Sequence, residues 1–202
     1  MNRTIRIAAL AAIVNLACAG VGRAQSAVPD RYDDAFRKYT KRYFGPGFDW
    51  RLFKAQGMTE SNLNPNAKSW VGARGVMQLM PSTFADIRSK NPEIGPINNP
   101  EWNIAAGIYY NRQLWQQWAD KAAGEDRHEF MLGSYNAGRG TILRAQKVAA
   151  GKSLDERIWL SIRHVAPEVP GWRHKETLSY VQRIQFSLER MDNQGRVGKK
   201  PH

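Results

Sequence analysis

Cysteine is almost missing from this sequence. The one that occurs, Cys18, falls in an N-terminal segment built like an export signal, so the remainder has no thiol and no disulfide. That excludes a disulfide scaffold, a cysteine nucleophile and a thiolate metal centre for the mature chain, and its stability must come from a packed core. Histidine is scarce too: His128, His164, His174 and His202 show no metal-ligand spacing, so neither metal nor other cofactor is expected. Gly138-Arg139-Gly140 lacks the strand and the Lys-Ser/Thr pair of a phosphate loop. Long apolar runs are absent apart from Ile7 to Val14, which is too short to span a bilayer and is followed at once by Asn15. Alternating strand patterns, internal repeats and interdomain linkers are also lacking.

Acids are outnumbered, 18 against 30 Lys and Arg. Arg3 and Arg6 precede the apolar run, and Gly22-Arg23-Ala24 offers small residues for cleavage before Gln25, so residues 1–24 read as a signal peptide. The product would be periplasmic or secreted. A lipoprotein acylated on Cys18 is the lesser alternative, because Asn15 stands where an aliphatic residue is expected three positions earlier. Cleavage removes three arginines and no acid, lowering the formal charge from +12 to +9. No DNA- or RNA-binding module accompanies that charge, and an exported protein seldom meets nucleic acid, so none is expected as a partner. Attraction to an acidic polymer outside the cytoplasm fits better, with solubility as the plainer reading.

Spacing predicts helices almost throughout. Ala35, Tyr39 and Tyr43 mark a first helix that stops at Gly45-Pro46-Gly47. Trp50, Phe53 and Gly57 line a second, which carries Glu60 near its C-terminal end. Residues 61 to 75 read as loop, and Pro81 opens a helix to about Lys90. Further helices are expected from about Pro100 to Ala122, Asp126 to Asn136, Thr141 to Ala149 and Leu154 to Val165. The last carries Thr177, Val181, Ile184, Leu188 and Met191 on one stripe. This gives a single all-α domain: residues 25–46 as a lead-in and first helix, 47–192 as the main body, and 193–202 as a basic disordered tail.

Two segments carry chemistry. Met58-Thr59-Glu60-Ser61-Asn62-Leu63-Asn64-Pro65 sets one carboxylate beside the Met-rich run Gly75-Val76-Met77-Gln78-Leu79-Met80-Pro81. A carboxyl among apolar side chains keeps its proton to higher pH and can serve as a general acid. Leu132-Gly133-Ser134-Tyr135-Asn136-Ala137-Gly138 ends an apolar stretch with an aromatic, an amide and a helix-stopping glycine. The nearest other acids, Asp49 and Asp86, sit in no motif, although most glycosidases pair two carboxylates.

Together these blocks resemble the family 1 lytic transglycosylases, the soluble-lytic-transglycosylase-like domain related to goose-type lysozyme. Glu60-Ser61, then Ser69 with Val71 to Pro81, then Ser134-Tyr135-Asn136-Ala137-Gly138, then Glu176-Thr177 with Tyr180-Val181, follow the family order over about residues 47 to 190. The resemblance implies a lysozyme-like fold and cleavage of the MurNAc-β-1,4-GlcNAc bond of peptidoglycan with formation of 1,6-anhydro-MurNAc, Glu60 acting as acid and then as base. It implies that Ser69 orients the substrate N-acetyl group, that Gln78 and Met80 line sugar subsites while Met77 fills core, and that Tyr135 bonds near Glu60 or to the acetamido group. Ser134, where the family has alanine, would touch a subsite. Asn136 is either a substrate contact or a helix C-cap, Glu176 either a cleft support or a first-turn acid, and Tyr180 packs behind the site. Trp70 either stacks on a sugar or shields the loop. The implied partners are peptidoglycan glycan strands and, for a specialised enzyme, a cell-envelope assembly apparatus; a monomer is expected. A lysozyme-type hydrolase and a non-catalytic wall-binding module remain as alternatives.

Overall fold

The computed structural model describes residues 30–197. The expected signal peptide, Cys18 and residues 198–202 lie outside the described residues.

Helix α1, Asp33–Phe44, has Asp33 and Asp34 in its first turn and Lys41 and Arg42 in its last, the charge order a helix dipole favours. Phe36, Tyr39 and Thr40, at i, i+3 and i+4, are its buried face. Helix α2, Arg51–Ser61, ends on Asn62 in a left-handed conformation at φ 52°, with its N–H bonded to Met58 O at 2.9 Å. Lys54 of α2 is buried, and its ammonium is held by Asp33 of α1. The segment 25–46 therefore contributes its helix to the common core, and α1 packs on both α2 and α4.

Helix α3, Pro81–Lys90, begins on its proline, which lacks the N–H that a first turn leaves unbonded. Helix α4, Pro100–Gln117, is capped by Asn99, whose side chain accepts from Trp102 N at 3.1 Å. It stops five residues short of the expected Ala122. The chain turns off there, and Ala123 N bonds Arg157 O at 2.7 Å. The same crossing delays the start of α7, Trp159–Val165, past the expected Leu154. Residues 155 to 158 form a turn held by Asp155 Oδ1 on Arg157 N, by Gln146 Nε2 on Glu156 O and Lys121 O, and by Asp126 Oδ2 on Trp159 N. A 3₁₀ turn, Ala166–Glu168, follows.

Helix α5, Arg127–Ala137, runs through the centre, packed by α4, α6 (Arg139–Gly151) and α8. Every residue from Phe130 to Asn136 is buried. Helix α8, His174–Val197, packs along α2 and α5 and continues past residue 192, so residues 193–197 belong to it rather than to a tail. No strand occurs among the described residues. Two isolated bridges, Lys68 with Arg74 and Arg74 with Leu79, tighten the loop between α2 and α3. The fold is the expected all-α one.

Candidate active site

Glu60 projects from the last turn of α2 into a cleft. The floor comes from the α2–α3 loop, through Asn62, Asn64, Ala67, Lys68, Ser69 and Gln78, and the far wall is Arg183, Phe186 and Ser187 of α8. No other aspartate or glutamate lines this cleft among the described residues. Asp49 is occupied by Arg51, whose Nε and Nη2 both donate to it, and Asp86 is exposed on α3.

Protein packed around the Glu60 carboxyl raises its pKa from 4.5 to about 8. Burial is the main cause. The Tyr180 hydroxyl, which donates to Glu60 Oε1 at 2.6 Å, and the Arg183 guanidinium at the cleft wall pull the other way. The residue as a whole stays partly exposed to the cleft. It is thus a neutral acid at pH 7 that solvent can reach. Tyr180 is fully buried, and its phenol is held neutral by burial and by the neighbouring Glu60.

The loop beneath the acid is clamped at several main-chain groups from three helices. Ser61 Oγ donates to Val76 O at 2.8 Å and ties the loop to α2. Asn103 of α4 accepts from Met77 N at 2.8 Å and donates to Arg74 O and Ile97 O. Tyr135 of α5 donates to Met77 O at 2.8 Å. Gly75, at φ 77°, passes so close to Asn103 that a Cβ there would lie 2.5 Å from its amide nitrogen. Gln78 holds a left-handed φ of 45°, a strain of roughly 1 kcal/mol that its own side chain helps offset by donating to Ala67 O and Gly75 O. Ser69 is buried, and its Oγ accepts from Ala73 N at 2.9 Å while its edge reaches the cleft.

Several expected site residues stand elsewhere. Ser134 is fully buried and accepts from the Trp118 indole at 3.0 Å, so it touches no subsite; it lies on α5, which is enclosed on every side. Asn136 is buried for the same reason, and it is not the C-cap, which is Gly138. Tyr135 lies under the loop and bonds Met77 O rather than Glu60, although its phenol feels the Glu60 charge. Tyr180 does not merely pack behind the site but bonds the acid directly. Met77 is core, as expected, whereas Met80 is half-buried before α3 and does not line the Glu60 cleft. Glu176 occupies the first turn of α8, 3.1 Å from Arg173, in an adjoining depression that shares Arg183 with the cleft. Trp70 is 76% exposed, outside the cleft lining.

The sequence reading passed over Gln56, Lys68, Asn103, Asn111, Arg183 and Phe186. A signal was there for two groups of them. Gln56 is four residues before Glu60 on a buried helix, and Tyr180, Arg183 and Ser187 recur at helical spacing. Asn103, Gly107 and Asn111 likewise share one face of α4, where a Cβ on Gly107 would meet Met77 at 2.7 Å.

Known proteins share the family and the fold of this chain. The Transglycosylase SLT domain family model matches residues 34–158. The chain is similar to a protein named membrane-bound lytic murein transglycosylase F from Stutzerimonas stutzeri (strain A1501), 33% identical over 156 residues, which covers 75% of this chain and 30% of that protein. A like-named protein from Shewanella sediminis (strain HAW-EB3) is 31% identical over 160 residues, covering 79% and 30%. The fold is similar to the crystal structure of the 70 kDa soluble lytic transglycosylase SLT70 from Escherichia coli, with a TM-score of 0.60, 26% identity, and coverage of 80% of this chain and 24% of that one. It is similar also to the complex of the 70-kDa soluble lytic transglycosylase with bulgecin A, with a TM-score of 0.64, 26% identity, and coverage of 86% and 26%. The chain spans 30% of the length of the two curated relatives.

Proposed function

This chain belongs to the Transglycosylase SLT domain family, and from that premise we propose that it is a lytic transglycosylase cleaving the MurNAc-β-1,4-GlcNAc bond of peptidoglycan. The observation that carries the reading is Glu60, a cleft carboxyl with a pKa near 8 and no second acid beside it. At pH 7 about nine-tenths of such groups hold their proton. Glu60 gives that proton to the GlcNAc oxygen as the glycosidic bond breaks. The MurNAc N-acetyl oxygen bonds to the anomeric carbon, and this internal nucleophile replaces the missing second carboxylate. Glu60, now a carboxylate, takes the proton of the C6 hydroxyl, whose oxygen closes the 1,6-anhydro ring and releases the N-acetyl group. The glutamate ends protonated and no water enters.

In this reading Ser69 and Gln78 offer polar atoms to the sugar from the cleft floor. Lys68, Arg183 and Phe186 give the cleft a cationic edge and an apolar one, suited to a sugar backbone carrying acidic peptides. The enzyme would work in the periplasm, delivered by the signal of residues 1–24. Among the described residues no helix is long and apolar enough to cross a membrane.

Replacing Glu60→Gln keeps the shape and the acceptor for Tyr180 but removes the transferable proton. Release of soluble fragments from purified peptidoglycan should fall by at least about a hundredfold. A variant that cleaves at a near-normal rate would show that Glu60 is not the acid.

A further inference from the structure

Three fully buried polar side chains continue inward from Glu60, and their donor count fixes a direction. Asn111 of α4 donates from Nδ2 to Gly107 O at 3.0 Å and to Gln56 Oε1 at 2.8 Å. A main-chain carbonyl can only accept, so the Asn111 amide cannot be turned over. Gln56 must therefore present Oε1 to Asn111 and Nε2 to Tyr180, whose oxygen accepts at 3.0 Å. The one phenolic proton is then left for Glu60 Oε1. Asn111 Oδ1 has no hydrogen-bond partner, a cost the fold carries in keeping this orientation.

Gln56, Asn111 and Tyr180 come from three helices, α2, α4 and α8, and apolar residues could fill the same space. What the polar chain adds is polarity along its length. Each donation strengthens the next, so the Gln56 N–H makes the Tyr180 hydroxyl a better donor. With Oε1 already accepting, the carboxyl proton belongs on the other oxygen of Glu60.

We propose that Gln56 and Asn111 are positioning residues, which hold Tyr180 as a donor to Glu60 Oε1 and so keep the transferable proton on the oxygen not bonded to Tyr180. The inference rests on the general-acid reading of Glu60. The other groups that bear on this carboxyl are Arg183 from α8 and the Tyr135 phenol from α5, with Lys68 lining the same cleft from the loop. None of these three is a hydrogen-bond partner of Gln56, whose side chain bonds Tyr180 and Asn111. Without the Gln56 donor, the phenol oxygen is open to accept from a protonated Glu60. The proton then turns inward, and the phenol stabilises the carboxylate less well.

The test combines carboxyl NMR titration of Glu60 with steady-state cleavage of purified peptidoglycan, both on the full chain. Gln56→Met, close in size but without the N–H, should move the Glu60 midpoint upward. It should lower kcat at least about fivefold with KM held within about twofold, since misdirection of the acid affects the chemical step. Tyr180→Phe should move the midpoint the same way, and adding Gln56→Met to it should then change the midpoint no further, because Gln56 acts through the phenol. A merely structural Gln56 would lower Tm and leave the midpoint alone. The inference is overturned by an unchanged midpoint in Gln56→Met, or by an effect that persists undiminished beside Tyr180→Phe. Asn111→Leu, which frees the Gln56 amide to turn, gives the same decision from the next position inward should Gln56→Met not fold. The midpoints decide the relay even if Glu60→Gln still cleaves, an outcome that would sink only the general-acid reading.

Discussion

A single carboxyl has to be acid first and base second, and its environment suits both tasks. Burial raises the Glu60 pKa to about 8, while Tyr180 and Arg183 limit the rise and give the carboxylate somewhere to settle once the proton has left. The acid form is lost as pH rises through 8, so the rate on peptidoglycan should fall on that limb. The folded state also holds a proton between the ordinary glutamate value and 8 that the unfolded chain has lost, so Glu60 makes folding less favourable as pH rises across that window. Glu60→Gln carries no charge to bury. Its Tm should exceed that of the wild type at pH 9 and approach it near pH 5, as thermal unfolding at the two pH values would reveal. Equal differences at both pH values would mean that Glu60 does not titrate where its surroundings place it.

At the scale of elements, the α2–α3 loop behaves as part of the scaffold because three helices bond its main chain. Ser61 reaches it from α2, Asn103 from α4 and Tyr135 from α5. Asn103→Ala would leave Met77 N and Ile97 O without their side-chain partner and Arg74 O with only its Leu79 N–H donor. At about 1 kcal/mol per bond, a loss of roughly 2–4 kcal/mol in unfolding free energy is expected, with faster amide exchange at residues 74–79. A change below about 0.5 kcal/mol would show that the loop holds without the clamp. Periodicity was enough to place α1, α2 and α3, whose ends are set by local residues such as Gly45, Asn62 and Pro81. It failed at the end of α4 and the start of α7, where the Ala123–Arg157 and Asp126–Trp159 bonds join residues more than thirty positions apart. The candidate site divides in the same way. Glu60 was marked by its apolar neighbours and Ser69 and Gln78 by the family resemblance, and all three line one cleft because helix end and loop adjoin along the chain. The Gln56–Tyr180 bond spans 124 positions and leaves no local trace, and the resemblance put Ser134 at a subsite because the burial of α5 around it cannot be seen in the sequence.

For the whole molecule, the packing of α2 against α8, and of α8 against α5, gives the cleft one acid wall and one cationic, partly apolar wall. A hydrolase on such a frame would bring water, in place of the C6 hydroxyl, to the Glu60 carboxylate, and the two routes leave different ends on the muramyl sugar. The outcome of the reaction therefore identifies the mechanism. Purified peptidoglycan digested with the protein in water enriched in heavy oxygen, and analysed by mass spectrometry, tests this most directly. The expected muropeptides end in 1,6-anhydro-MurNAc, lighter by one water than reducing-end products and free of the isotope. Reducing ends carrying heavy oxygen would contradict the account and make the protein a hydrolase.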